Sequence, residues 1–429
     1  MKGNFQLIIL IVFIAAAVFG MLVFSGAIPL GKNSTGSLGT VVLWGTVPGA
    51  TIATAMKSFN DANPTFVVSY VQKSPDTFDQ DLLEALAAGA GPDLFFLPDN
   101  LILHYSNKIF AIPYTSYPLS TFKNVFAGAG EVFLAGKGVY AFPVSIDPLM
   151  MYYNRSMLDA SGFVYPPAYW DEMTKMVPTL TKKDNTNKII KSGVALGHSS
   201  NIVHAKDILA TLFMQAGNPI TKEKDGILNS TLDASIGNYN LPSILKFYTD
   251  FADPNNTLYS WNKSFPNSND AFSREDLAFY FGYASELQSL VNRNPNQNFF
   301  ISGVPQIRSS PSKVTGARVT GIAISASSKN FTTAFTAASL LATSDFASKF
   351  ATATGGAPAR RDLLAIKPDD AYSPIFYNSA LYARSWLDPS PKDTNNIFSG
   401  MIDSVLSGNL SVNDAVKDAN SKISLLLFK

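Results

Sequence analysis

The chain has 429 residues, 33 Lys and Arg against 32 Asp and Glu, a formal net charge of +1, and no cysteine. Near-neutral charge without a long run of one sign argues against a nucleic-acid partner, which needs clustered cations against phosphate. The missing cysteine excludes disulfides, thiolate catalysis, Cys-based zinc or iron–sulfur sites and lipid attachment through an N-terminal cysteine. The length suggests two or three domains, and the abundance of aliphatic and aromatic residues allows large cores.

Residues 1–6 carry Lys2, and residues 7–28 contain no charged side chain. As a helix this run reaches roughly 33 Å, enough for the apolar core of a bilayer. A basic residue before it favours residues 1–6 inside the cell and everything after the run outside. A cleaved signal has a shorter apolar core; Ser25-Gly26-Ala27 offers small residues for cleavage, but the length favours a retained single-pass anchor. Residues 29–39, including GKNSTGSLG, read as a flexible linker.

Beyond the linker the periodicity changes. Val41-Val42-Leu43-Trp44 predicts a buried strand, and Ile52, Ala55, Met56 and Phe59 give one face of a helix over 50–60, stopped at Asn63-Pro64. A β-rich stretch at 66–71, a helix opening near Ser74 and a buried strand at 93–97 follow. This alternation predicts a parallel sheet covered on both faces, with ligand beyond the carboxyl ends of its strands, near residues 44–47 and 98–100. Residues 139–144 predict a strand running on toward Asp147. Helices are expected from Tyr169, over 205–216, 241–252 and 272–281, then a loop at 307–316, a strand at 319–324 and Ala-rich helices over 332–342 and 344–353. A break falls at TGGAP (354–358), and residues 396–427 read as two helices, the second opening at Ser411 with Asp414 in a capping position.

Motifs for covalent chemistry are weak. His104, His198 and His204 lack metal-ligand spacing, so no metal site and no cofactor are expected. Gly136-Lys137-Gly138 reads as a hairpin turn rather than a phosphate loop. Ser310 and Lys313 form an S-x-x-K without its companion motifs, and G-x-S-x-G is missing. A carboxylate pair for glycoside cleavage assembles only in space, so sequence leaves that possibility open.

Several stretches in order resemble the bacterial extracellular solute-binding proteins of family 1, the maltose-binding-protein-like receptors of ABC importers. They are FPVSIDPLMMYYNRSML (142–158) followed by Pro166-Pro167 and YWDEM (169–173); GVALGHSSNIVHAKDILATLFMQAGNPI (193–220); 247–252 with YSWN (259–262) and Ala271-Phe272; 321–362, ending GGAPARRD; and the last helix, 411–427. The resemblance covers about residues 40 to 429. It implies an α/β, two-lobed periplasmic-binding-protein-like fold of type II, with discontinuous lobes and a hinge cleft. Lobe one would be 40–142 plus 312–356, and lobe two 143–311 plus 357–429. It also implies a monomeric, non-catalytic receptor that binds a sugar or oligosaccharide and delivers it to ABC permease subunits. The uncharged 7–28 segment and the missing cysteine depart from the family's usual released or lipid-anchored forms.

Sugar sites need flat apolar faces and planar polar groups. Position in the resemblance then points to Trp44, Thr46, Asp99, Asn100, Asp147, Tyr152, Asn201, His204, Tyr283, Ser285 and Trp386 as ligand-binding residues. Competing structural roles are plain for several: Trp44 as core, Asp99 and Asn100 as turn formers, His204 as a helix-start partner. One of Tyr152 and Tyr153 should be buried, and Trp170 and Trp261 should be packing residues. Other functional readings are a same-fold receptor for a peptide or polyamine, an envelope-bound polysaccharide hydrolase, and a scaffold without ligand.

Overall fold

The computed structural model describes residues 38–233 and 240–428. The expected cytoplasmic end (1–6), the apolar segment (7–28) and nearly all of the linker (29–39) lie outside the described residues. Among the described residues no helix is long and apolar enough to cross a membrane.

The architecture is mixed α/β. The first strands, β1 (Thr40–Gly45), β2 (Val67–Gln72) and β3 (Leu94–Pro98), are parallel and separated by helices Gly49–Ala62 and Phe78–Ala87. Helix Gly49–Ala62 buries Ile52, Ala55, Met56 and Phe59, the face expected from their spacing. Strands β4 (Leu134–Ala135) and β5 (Gly138–Val139) form the hairpin around Lys137. There Gly138 takes φ +151°, and a Cβ on it would sit 2.1 Å from the Ile112 carbonyl oxygen, so no side chain fits.

The 139–144 strand is much longer than expected: β6 spans Ala141–Asn154. All fourteen of its residues are buried except Asp147 and Tyr153, which are half-buried. Pro143 and Pro148 cannot donate to a ladder, and each falls where β6 changes its pairing. Near Pro143 the register with β13 (Thr315–Ile324) shifts; after Pro148 the strand leaves β13 for β11 (Leu277–Tyr283) and β12 (Phe299–Gly303). Strand β6 is therefore shared by two halves of one curled sheet, in the order β2-β1-β3-β13-β6-β11-β8-β7. Here β7 is Lys182–Lys183 and β8 is Ile189–Val194. The hairpin of β9 (Thr221–Lys224) and β10 (Ile227–Ser230) stands apart, β14 (Ala357–Pro358) adds to β6, and β15 (Ala383–Arg384) adds to β13.

Helices cover the sheet. Ala-rich helices Phe331–Leu341 and Ser344–Thr354 pack on the first half, and the second of them ends on Gly355 in the left-handed region at φ +75°. Helices Trp170–Leu180, Ala205–Gln215, Leu241–Asp250, Pro391–Leu406 and Val412–Leu427 serve the second half. Ser411 accepts from the Asp414 N–H at the start of the last helix, the predicted cap. One element differs in type: 272–281 is not a helix. Helix Ser268–Ser273 stops, Glu275 turns the chain at φ 61°, and LAFYFGY continues as the wholly buried β11. Short apolar runs carry no period that separates strand from helix.

Trp261 and Trp170 are core residues. Trp261 is fully buried, stacks on Phe265 at 4.5 Å and donates through Nε1 to Asn201 Oδ1 at 3.0 Å. Trp261→Ala is expected to lower stability by about 3–5 kcal/mol, since it combines a large cavity with an orphaned amide. Denaturant unfolding checks this, and an effect below about 1 kcal/mol would contradict the packing described.

Candidate functional site

The carboxyl end of β3 runs through Pro98 into a single 3-10 turn, Asp99–Leu101. This places Asp99 and Asn100 at the sheet edge, beside Thr46 at the end of β1. The two halves of the sheet meet here around a cleft. One part, about 560 Å³, is lined by Thr46, Asp99, Asn100, Asp147, Ser285 and Arg318 among others. The adjoining part, about 370 Å³, shares Asp99, Asn100 and Arg318 and adds His204, Asp207, Tyr283, Ser385, Trp386 and Asp388.

Arg318 is the hub. It lies on β13 directly opposite Asp147 on β6. Its guanidinium stacks 3.8 Å from the centre of the Tyr283 ring and stands 3.7 Å from the Asp207 carboxylate. Its side chain keeps 55% exposure because the cleft is open to water. Arg318 is not among the residues to which the resemblance points. A lone cation inside a strand of buried residues is nonetheless a legible signal, because such a group is rarely placed there without a partner or a task.

Asp147 and Asp99 are each held by a hydroxyl. Ser285 donates to Asp147 twice, from its N–H at 3.0 Å and its Oγ at 2.6 Å. Ser385 donates to the buried Asp99. Burial pushes Asp99 up to about 6, against the pull of the Ser385 hydroxyl, backbone N–H groups and Arg318. Burial likewise pushes Asp147 up to about 6, opposed by Ser285 and Arg318.

His204 precedes helix Ala205–Gln215, and its buried ring points toward the cleft. Nε2 meets Glu286 Oε1 at 2.6 Å, Nδ1 lies 3.7 Å from Asp207, and the ring sits edge-on to Tyr283. Desolvation opposes the imidazolium, but the hydrogen bonds to Asp207 and Glu286 outweigh it and raise His204 above its ordinary value. Glu286 also feels desolvation and is nonetheless lowered by His204, the Tyr280 hydroxyl and the Tyr283 N–H. The His204–Glu286 pair therefore stabilises the fold fully between the ordinary values of the two groups, and that contribution is lost as pH falls through the lowered carboxyl value or rises through the raised imidazole value. On the far wall Lys206 pairs with buried Asp388 at 2.8 Å, and its ammonium lies 5.8 Å from the half-buried Trp386 ring.

Of the residues singled out from sequence, Thr46, Asp99, Asn100, Asp147, His204, Tyr283, Ser285 and Trp386 line this cleft. Three do not. Tyr152 is fully buried among Phe272, Tyr280 and Phe299, with its hydroxyl on the Tyr283 carbonyl at 2.7 Å; strand alternation sends Tyr153 outward instead. Asn201 is spent on structure, accepting from Trp261 and donating to the Asn262 and Phe265 carbonyls. Trp44 lies half-buried on the sheet under the Lys73 ammonium, 3.7 Å from its ring centre, and lines neither part of the cleft. Besides Arg318, sequence reasoning missed Lys206, Asp207, Glu286, Ser385 and Asp388. Among the described residues no group of three or more His, Asp and Glu is arranged to hold a metal ion.

The profile described as "bacterial extracellular solute-binding protein" matches residues 54–374, more than half of the chain. The chain belongs to that family. Binding proteins of Brucella abortus and Brucella suis are 29% identical to this solute-binding protein over 122 residues; the match spans 29% of their length. Among solved structures it is similar to the sugar-binding protein MalE of Xanthomonas citri (TM-score 0.75, 16% identity, 91% of this chain and 97% of that one). It is also similar to a cyclo/maltodextrin-binding protein complexed with maltotetraose (TM-score 0.72, 17% identity, 92% and 97%). A Listeria monocytogenes ABC substrate-binding protein in complex with cycloalternan aligns with a TM-score of 0.67 at 19% identity, over 90% and 98%. At these identities the likeness establishes the fold, that of two-lobed sugar-binding proteins.

The raised value of Asp99 has a definite sign. A carboxyl held at about 6 in the folded state, against 3.8 unfolded, lowers stability as pH rises from 3.8 through 6. Asp99→Asn in the ligand-free protein is expected to be stabilising at pH 8, by up to about 3 kcal/mol. The gain should shrink as pH falls through 6 and disappear below about 4. Paired denaturation curves at pH 4, 6 and 8 check this; a gain independent of pH would refute the assignment.

Proposed function

We propose that this solute-binding protein is the extracytoplasmic receptor of an ABC importer, that it captures a carbohydrate in the cleft, and that it hands it to permease subunits. The observation that carries this is the convergence, at one cleft between the sheet halves, of planar polar groups around Arg318 with the Tyr283 and Trp386 rings beside them. Carboxylates, an amide and a guanidinium suit vicinal hydroxyls, and an indole suits the C–H face of a pyranose. The oligosaccharide complexes among its structural neighbours support the same ligand class.

In this reading residues 40–142 plus 312–356 form lobe one and 143–311 plus 357–429 form lobe two. The chain crosses between the lobes near Pro143, Ser310 and Gly355, and a hinge motion there closes the lobes around ligand. Affinity for the closed state over the open one then drives function, in a monomer with no cofactor. Residues 7–28 anchor the receptor, and the linker raises its local concentration at the permease.

The hydrolase alternative has one feature in its favour, a pair of cleft carboxyls with raised values. Glycoside cleavage, however, needs the two to be driven apart, one protonated and one ionised. Here Asp99 and Asp147 are raised alike, and each is tied to a serine hydroxyl.

A thermal-shift screen of the full chain with maltotetraose, mannobiose and cycloalternan tests the reading. A ligand at a hundred times its dissociation constant adds about 2.7 kcal/mol of stability. Stabilisation without turnover is expected, and Arg318→Ala should weaken binding at least tenfold. Hydrolysis of the sugar, or binding of peptides or polyamines only, overturns the proposal. For the anchor, the mature protein should retain residues 7–28 and fractionate with membranes. A mature terminus near Ala27 or Lys32 would remove the tether and leave the receptor reading intact.

A further inference from the structure

The polar cleft does not end at Trp386. Beyond it a groove of about 700 Å³ continues, sharing Ser385 and Trp386 with the polar centre. Its walls come from both sides, with Val132 on one and Met214, Ile220, Leu228 and Leu387 on the other. A further 280 Å³, bounded by the β4–β5 and β9–β10 hairpins, extends it past Val132 and Leu228. Val132, Met214, Leu228 and Leu387 are only half-buried, so aliphatic surface faces the groove.

The chemistry changes at this boundary. Some polar groups along the groove are committed: the Thr221 hydroxyl donates to the Leu387 carbonyl at 3.0 Å, Glu131 pairs with Lys123 at 3.2 Å, and the exposed Arg384 donates through Nη1 to the Ala383 carbonyl at 2.8 Å. Lys222 and Glu223 are exposed on the hairpin rim. A sugar unit pushed past Trp386 would give up water around its hydroxyls for walls that return few hydrogen bonds. A methylene chain or aryl ring would instead displace water from aliphatic surface, which is favourable. The groove's volume also lies within the range of sites for small ligands.

We propose that this groove is an aglycone subsite: the ligand is a glycoside whose sugar part sits on the polar centre with its last ring at Trp386, and whose apolar substituent lies along Val132, Met214, Leu228 and Leu387. The inference rests on the carbohydrate reading of the cleft and adds the class of glycoside.

Calorimetry on the full chain with maltose, maltotetraose and n-butyl β-D-maltoside tests it. The butyl glycoside should bind at least tenfold more tightly than maltose, a gain that two fully buried methylenes supply. Leu228→Asp, on the solvent-facing hairpin, should reduce the butyl glycoside to the affinity of maltose while leaving maltose unchanged. Met214→Gln serves as a second variant, and comparison within the full chain cancels any partition into residues 7–28. Equal affinity of maltose and its butyl glycoside overturns the subsite, as does a gain shown only by maltotetraose, which would make the groove a place for further sugar units. Failure of all three to bind, with mannobiose and cycloalternan failing as well, overturns the carbohydrate reading and the subsite with it, whereas maltose binding without a butyl gain overturns the subsite alone.

Discussion

A single strand serving both halves of one sheet is the constraint on which the rest of this molecule depends. Along its first eight residues β6 is hydrogen-bonded to β13, and along its last six to β11 and β12. Backbone groups in such a buried strand must be paired throughout. The change of partners falls at Pro148, which has no N–H to donate to a ladder. The residue before it, Asp147, is lifted out of continuous burial at the place where the halves meet. Arg318 faces it because β13 is paired across from β6 in fixed register. Cleft and hub are thus consequences of ladder geometry before they are consequences of side-chain chemistry.

Charge then decides how the cleft behaves. Asp99, Asp147, Asp207, Glu286 and Asp388 outnumber Arg318, Lys206 and His204, yet few of them stand alone. Asp388 is neutralised by Lys206, Glu286 by His204, and the serine hydroxyls hold Asp147 and Asp99. Such commitments keep side chains oriented while leaving carboxylate lone pairs and guanidinium N–H groups for a ligand. Orientation fixed before binding spares entropy on binding. The result is a site suited to hydroxyl-rich neutral molecules at its centre, bordered by aliphatic walls where Trp386 marks the change from polar to apolar contact.

Family membership and fold arrive by different routes and agree. A profile over residues 54–374 sets the family, while likeness at 16 to 19% identity sets the fold. Low identity is expected when the shared requirement is a hydrogen-bonded frame, because many apolar side chains fill a given interior about equally well.

The sequence by itself determined the alternation of strands and helices at the start of the chain, the Ala-rich helices before Gly355, the cap at Ser411 and the core roles of Trp170 and Trp261. These are local matters of period, propensity and turn chemistry. It also drew attention to the carboxyl ends of the early strands, and Thr46, Asp99 and Asn100 do border the cleft. Only the tertiary structure decided the remainder. Register along β6 sent Tyr152 inward and Tyr153 outward, and burial turned 277–283 into a strand. Ser385 reaches Asp99 across 286 positions of chain, and Ser285 reaches Asp147 across 138. No pattern in a linear sequence carries such pairings, because they follow from how two separately formed halves are brought face to face by shared strands.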